Sequence, residues 1–222
     1  MHLKRLKIPK TWKLRKKEKK FIIVSRGPHP RKLSLPLLVI LRDILKLAHT
    51  KKEINKILSQ ENVHVDNRIV KDPKFSVGLF DRIYIKKLEN AFTVYLKPNG
   101  LEVKPINKEN LDKKPCRIIG KTVVNKAKIQ LNLHDGKNII TSKEFKVGDS
   151  VLLNIKENIY KIIEHLKLEK GSTVLVIKGR YSGHLAKISK LNSKAVISIL
   201  TSKENHEVPK ENVFVVNEDE FK

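Results

Sequence analysis

"KGSTVLVIKGRYSGHLAKI", residues 170–188, holds three of the chain's nine glycines, Gly171, Gly179 and Gly183, within thirteen positions. Between the first two runs "STVLVI", a β-branched and aliphatic stretch that reads as a strand. Glycine enters left-handed backbone cheaply and lets another chain segment come close. The spacing therefore predicts a hairpin whose turn is hinged at Gly179 and Gly183. Lys178, Arg180 and Tyr181 ride on that turn, a set suited to an anionic and aromatic partner.

Working outward, the surrounding chain is β-rich. "AKISKL", "AVISI" and "NVFVV" follow the loop as further strands, and "KVGDSVLLNI" at 146–155 resembles "EKGSTVLVIK" at 169–178, each a glycine turn leading into a strand. That repetition predicts two small barrel-like β modules. In "KIQLNL", 128–133, Ile129, Leu131 and Leu133 alternate with polar residues, a strand with one wet face. "HDGK" at 134–137 turns it, "RIIGKTVV" at 117–124 precedes it, and "FTVYLK" at 92–97 ends in the turn signal "PNG". "KIIEHLKL" at 161–168 stays open between linker and strand.

Further upstream the period changes. "SLPLLVILRDILKLAH", 34–49, carries two adjoining apolar stripes, Leu38, Leu41, Leu45, Ala48 and Leu37, Ile40, Ile44, Leu47, which predict a helix with Arg42, Asp43 and Lys46 outside. Thr50 with Glu53 three residues on is a capping box opening a second helix. That helix turns Ile54, Ile57 and Leu58 inward and Lys51, Lys52 and Lys56 outward. "VHVDNRIV" then reads as a hairpin with Asp66 and Asn67 at positive φ, and "RIYI" at 82–85 as a strand. The first 35 residues hold 13 Lys or Arg against Glu18 alone, with one tryptophan, Trp12. A tryptophan is out of place in a merely solvating tail, so the segment is expected to be an arm that orders on RNA.

Charge sets the partner class. The 222 residues carry 48 Lys plus Arg against 23 Asp plus Glu, a formal +25, while residues 201–222 carry three Lys and six acids. A surplus of that size is self-repulsive unless a polyanion cancels it. The single Cys116 excludes an internal disulfide and a cysteine-rich zinc site. The longest apolar run, Leu37–Leu41, is far short of a membrane span and "FIIV" at 21–24 is too short for a signal core. "GKT" at 120–122 lacks the upstream glycine and the following helix of a phosphate loop, since Pro115 stands where the glycine belongs. The eight histidines show no metal-ligand spacing, and no nucleophile elbow occurs. Asp81, Asp135 and Asp149 fall at turns, where backbone bonding selects aspartate. The expectation is a cytosolic polyanion binder without catalysis, cofactor, metal or small-molecule substrate.

Three resemblances sharpen this. Lys170, Gly171, Val174, Val176, Ile177, Gly179, Gly183 and Ile188 resemble a KOW motif, a glycine-loop element of SH3-like barrels in ribosomal and transcription proteins; Ala186 stands where a further glycine is common. Residues 38–85 resemble the S-four RNA-binding domain, through Leu41, Ile57, Val63, Val65, Asn67, Val70, Pro73, Val77, Asp81 and Ile83, with Phe80 in place of a frequent glycine. The order of "HLKRL", Pro9 and Trp12, then that unit, "HDGK" and the glycine loop resembles the archaeal and eukaryotic small-subunit ribosomal family called S-four-E.

The family implies an α+β, mostly β chain. Its parts would be a basic extension at 1–36, an S-four-like domain at 37–100, a central β domain at 101–165 and a KOW SH3-like barrel at 166–222. It implies a structural role in the small ribosomal subunit, in the cytoplasm, with ribosomal RNA and neighbouring ribosomal proteins as partners and no membrane. RNA contacts are expected from Lys4, Arg5, Lys7, Lys10, Trp12, Arg15, Lys16 and Lys17 of the arm. Arg42, Lys51, Lys52, Lys56, Asn67, Arg68 and Lys71 would serve in the S-four-like domain, and Lys178, Arg180 and Tyr181 in the glycine loop. Alternatives are a KOW-containing transcription-elongation accessory factor and an RNA-modifying enzyme with an S-four domain. The latter needs a catalytic domain for which the turn-rich segments after residue 85 leave no room. An anionic-membrane binder lacks a basic amphipathic helix.

Overall fold

The computed structural model describes residues 2–124, 128–156, 159–191, 196–201 and 204–217. The chain is mostly β with few helices. By packing it falls into two compact units, 1–114 with 155–159, and 115–154 with 160–222. The segments 1–36 and 37–100 lie in the first, 166–222 in the second, and 101–165 is shared.

In the first unit, β1 (Leu3–Lys4) pairs antiparallel with β2 (Phe21–Ile22), closing the arm on itself. Leu3, Ile8 and Trp12 are buried, so the arm is part of this unit's core. Strand β3 (Ser34–Pro36) leads into a helical turn, α1 (Leu37–Val39). The helix expected to run on from there passes at once into a π-type turn, Ile40–Ile44, in which Leu45 N–H reaches the Ile40 carbonyl at 2.9 Å. Leu37 to Leu41 are enclosed on every side. Packing, not the spacing of a single apolar stripe, sets the local winding there, and Lys46 at φ 53° ends it.

Helix α2 (Lys51–Ser59) starts at the capping box read from the sequence. The Glu53 N–H donates to Thr50 Oγ1 at 3.3 Å, and the Glu53 carboxylate accepts the His49 N–H at 2.9 Å. The bonds its carboxylate accepts, from the His49 N–H and then from the Thr50 hydroxyl at 2.8 Å, hold the Glu53 carboxyl below its ordinary pKa. Strands β4 (Val63–Val65) and β5 (Arg68–Ile69) form the expected hairpin, with Asp66 and Asn67 at φ 51° and 61°. After β6 (Ser76–Gly78), which pairs with β3, come β7 (Arg82–Ile85), β8 (Asn90–Lys97) and β9 (Gly100–Ile106). They complete an antiparallel sheet ordered β5-β4-β7-β8-β9. Phe80 takes φ 64°, left-handed backbone that a bulky residue tolerates only when its surroundings insist. Its ring is fully buried and set edge-on to Tyr95 at 5.7 Å.

Gly100, in the "PNG" turn, fixes the arm. It sits at φ +124°, and a Cβ there would lie 2.5 Å from the Thr11 carbonyl oxygen, which accepts the Leu101 N–H at 2.8 Å. Only a residue without a side chain lets the arm come this near.

The second unit holds two five-stranded sheets. In chain order the first contributes β10 (Lys113–Val124), β11 (Lys128–Leu133), β12 (Asn138–Thr141), β13 (Ser150–Lys156) and β14 (Ile159–Leu166), arranged β12-β11-β10-β13-β14. It encloses Cys116, Ile118, Leu131, Leu133, Phe145, Val151 and Leu153. The segment left open at 161–168 is thus mainly strand. The second sheet contains β15 (Thr173–Val176), β16 (Leu185–Leu191), β17 (Val196–Thr201), β18 (Glu204–Pro209) and β19 (Val213–Val215), in the order β18-β17-β16-β15-β19. Val174, Val176, Ala186, Ile188, Val208, Val213 and Val215 form its core. Gly171 and Gly179, at φ +89° and +97°, have nothing within 4 Å of a would-be Cβ. Gly171, ahead of β15, and Gly179, on the turn after it, are needed for backbone direction alone, not for close approach.

Candidate nucleic-acid interface

The basic residues sort by what their side chains touch. In the arm, Lys4, Lys7, Lys10, Lys16 and Lys17 are exposed and Arg15 keeps 88% of its side chain in solvent. Two expected contacts face inward. Arg5 is only 4% exposed: its guanidinium donates to the Arg15 carbonyl and to Glu18 at 3.0 Å, pinning the loop between β1 and β2. Trp12 is 2% exposed and its indole N–H donates to the Arg31 carbonyl at 3.1 Å. Burying so large a ring with its one donor satisfied outweighs leaving it free to stack on a base. The arm therefore does not wait for RNA in order to take shape.

In the helix-and-hairpin region Lys51, Lys52 and Lys56 stand on the exposed face of α2, and Arg68 is exposed on β5. Lys71 is exposed and paired with Glu61 at 2.7 Å. The π-type turn presents Arg42, half-buried and held by both oxygens of Asp43 at 2.9 Å; that hydrogen bond raises its pKa. Asn67 does not point outward as expected. Its amide donates to Asp112 at 3.0 Å and to the Ile155 carbonyl, so the hairpin tip is spent on bracing its own unit.

Arm and helical region meet around a cleft of about 630 Å³ lined by Lys13, Arg15, Lys19, Arg42, Lys46 and His49, with Glu18 and Asp43 among them. A second cleft of about 490 Å³ shares Arg5, Lys19 and Arg42 and adds Lys51 and Lys74. The fold thus gathers cations separated by dozens of positions in sequence onto one junction.

The same unit holds a buried charge cluster that the sequence reading missed. Lys114 is fully buried between Asp66 at 2.6 Å and Asp81 at 2.5 Å. Asp81 also meets His29 at 3.1 Å and accepts the Gly78 N–H at 2.7 Å, while Asp66 accepts the Arg82 N–H at 3.0 Å. Burial pushes the Asp81 carboxyl up, but Lys114 and then His29 outweigh it and hold the group well below its ordinary range. The available signal was alternation: Lys114 shares a strand face with Cys116 and Ile118, which are core residues.

In the second unit Lys178 and Arg180 are exposed on the glycine turn. Tyr181 is only half-open. It packs on the valine core and stacks on His206, centroids 4.1 Å apart, so one ring face is already covered. Cys116, His134 and Asp135 bring donor atoms within 4.8 Å of one another. Those donors are already engaged, Asp135 with the Cys116 thiol at 3.7 Å and Lys137 at 3.2 Å, His134 Nδ1 with the Arg117 N–H at 3.2 Å. Arg117 in turn donates to the Glu211 and Lys210 carbonyls at 2.6 and 3.1 Å, and burial lowers its pKa.

A helix-and-hairpin unit with a lysine-studded outer face and a basic arm clamped beside it defines a protein built on an S4-type domain. The comparisons agree. An S4 domain profile matches residues 35–83, the RS4NT (NUC023) domain matches 1–32, and the ribosomal family S4e matches 89–160. The small ribosomal subunit protein eS4 of Methanothermobacter thermautotrophicus is 40% identical over 99% of this chain and 93% of its own. That of Archaeoglobus fulgidus is 41% identical over 85% of this chain and 79% of its own. The crystal structure of the 30S ribosomal protein S4e from Thermoplasma acidophilum superposes with a TM-score of 0.70 at 28% identity, covering 85% of this chain and 96% of that one. The chain belongs to the ribosomal family S4e.

Proposed function

We propose that this protein is a structural, non-catalytic component of the small ribosomal subunit in the cytoplasm. It binds ribosomal RNA, adjoins other ribosomal proteins and supports subunit assembly. The observation that carries the reading is the junction itself. Arg15, Lys19, Arg42, Lys46 and Lys51, from the arm, the π-type turn and α2, line two adjoining clefts in one compact unit. Such a surface suits a shaped RNA, whose helices offer phosphates and 2′-hydroxyls more readily than base edges. Lys4, Lys7, Lys10, Arg15, Lys16 and Lys17 line phosphates along the arm; Lys51, Lys52, Lys56, Arg68 and Lys71 do so along the S4-type unit. Residues 166–222 serve as a KOW-type, SH3-like barrel whose Lys178 and Arg180 form an outlying contact, with Tyr181 as its support. The four segments 1–36, 37–100, 101–165 and 166–222 keep these roles apart.

The test is sedimentation of a cell extract with detection of this chain. Migration with the small subunit, lost on RNA digestion, is expected. Migration with RNA polymerase, or free of RNA, would sink the reading.

A further inference from the structure

The smaller cleft differs in kind from its neighbour. Both clefts, at about 630 and 490 Å³, fall within the ~300–1,000 Å³ typical of small-ligand pockets, and the difference lies in their lining. The apolar floor of the smaller one comes from Phe21 to Val24 of the arm, and Lys19, Arg42, Lys51 and Lys74 also line it. Among the described residues its lining contains no acid, whereas the larger cleft includes Glu18 and Asp43.

Neutralising phosphates needs lysines and arginines, not an apolar floor. Phe21 is the oddity: 48% exposed on a two-residue strand, opposite Lys4 in the β1–β2 pair. The Lys20 ammonium lies 5.5 Å from its ring centroid and the His2 ring 5.6 Å away. A half-wet aromatic ring beside the Lys20 ammonium matches a ligand with a flat face and negative charge. Single-stranded nucleotides have both, and each base stacked on an aromatic side chain contributes about 1–3 kcal/mol.

We propose that this cleft takes one nucleotide extruded from ribosomal RNA, its base laid on Phe21 and its phosphates met by Lys19, Lys51 and Lys74. The proposal rests on the ribosomal reading above and adds a base-stacking site to a surface otherwise built for backbone.

The test measures binding of the full chain to small-subunit ribosomal RNA across a salt series, with Phe21→Leu and Phe21→Tyr. Phe21→Leu is expected to weaken binding about 5- to 150-fold at every salt concentration, leaving the logarithmic salt slope unchanged because no charge is removed. Phe21→Tyr keeps the stacking face and should bind within about twofold of the parent. One RNA nucleotide should gain 2′-hydroxyl acylation reactivity with the parent chain and not with Phe21→Leu. Equal binding by Phe21→Leu and the parent would overturn the stacking site while leaving the ribosomal reading intact. A changed salt slope or a lowered melting midpoint in Phe21→Leu would overturn it too, since the ring would then only be placing the arm. Failure of the parent chain to bind the RNA would remove the ribosomal reading, and this proposal with it.

Discussion

Lysine does opposite work in two regions of the first unit. Around Lys114 the ammonium is wholly enclosed, with Asp66 and Asp81 on it at 2.6 and 2.5 Å. On α2 and along the arm, Lys16, Lys17, Lys51, Lys52 and Lys56 stand in solvent. The same side chain is a strut in one place and an attachment point in the other. What separates them is the pairing of desolvated charges, which residue type alone does not reveal. The formal +25 therefore overstates the charge offered to RNA, because some of it is committed to holding the fold.

The sharpest way to break this contrast is to remove the strut. Lys114→Met leaves two carboxylates buried without their cation and should cost about 3–5 kcal/mol in urea unfolding. Adding Asp66→Asn and Asp81→Asn should restore most of that loss, because an uncompensated charge is worse than no charge. If Lys114→Met unfolds like the parent, the cluster is not the support described.

Acid attacks the same cluster more gently. The folded Asp81 carboxyl is held below its ordinary value of 3.8. Its contribution is therefore complete above that pH and lost as pH falls through the depressed folded value. Unfolding free energy should decline as acidity increases across that window, and Asp81→Asn should flatten the decline.

Gly100→Ala comes next. A methyl group placed 2.5 Å from the Thr11 oxygen in left-handed backbone should cost about 1–3 kcal/mol. Protease should then cut the arm first, whereas an unaltered digestion pattern would argue that the arm is held elsewhere. Smallest in stability is the paired change Lys16→Ala and Lys17→Ala, which should leave the melting midpoint where it is. If both lysines meet phosphate, the logarithmic salt slope of RNA binding should shallow by about 1–2 units.

Local chemistry made much of the fold legible. Thr50 and Glu53 announced α2, Asp66-Asn67 announced its hairpin, and the alternation in 128–133 delimited β11. Strands β12 and β18 were not read from the sequence, and both are sheet edges. An edge needs no continuous apolar face, and "ENHEVP" at 204–209 shows none. The winding of 40–44 was missed because its two adjoining apolar stripes suit an α-helix equally well, and the enclosure of Leu37 to Leu41 that sets the local turn is not visible in their spacing.

The site was legible as charge and less so as direction. Exposed lysines of the arm and α2 lie where composition put them, but Arg5, Trp12 and Asn67 turned inward to satisfy partners distant in sequence. Phe21 escaped notice because one phenylalanine in "FIIV" looks like core until its exposure is known.

The seating of Thr11 against Gly100 and Leu101 bears on how the protein meets its RNA. Fixing a loose backbone costs about 1–2 kcal/mol per residue, and for this arm that toll falls during folding. Encounter then resembles docking a shaped tool: less entropy is surrendered at contact, and productive collisions depend on orientation, not on a search through chain conformations.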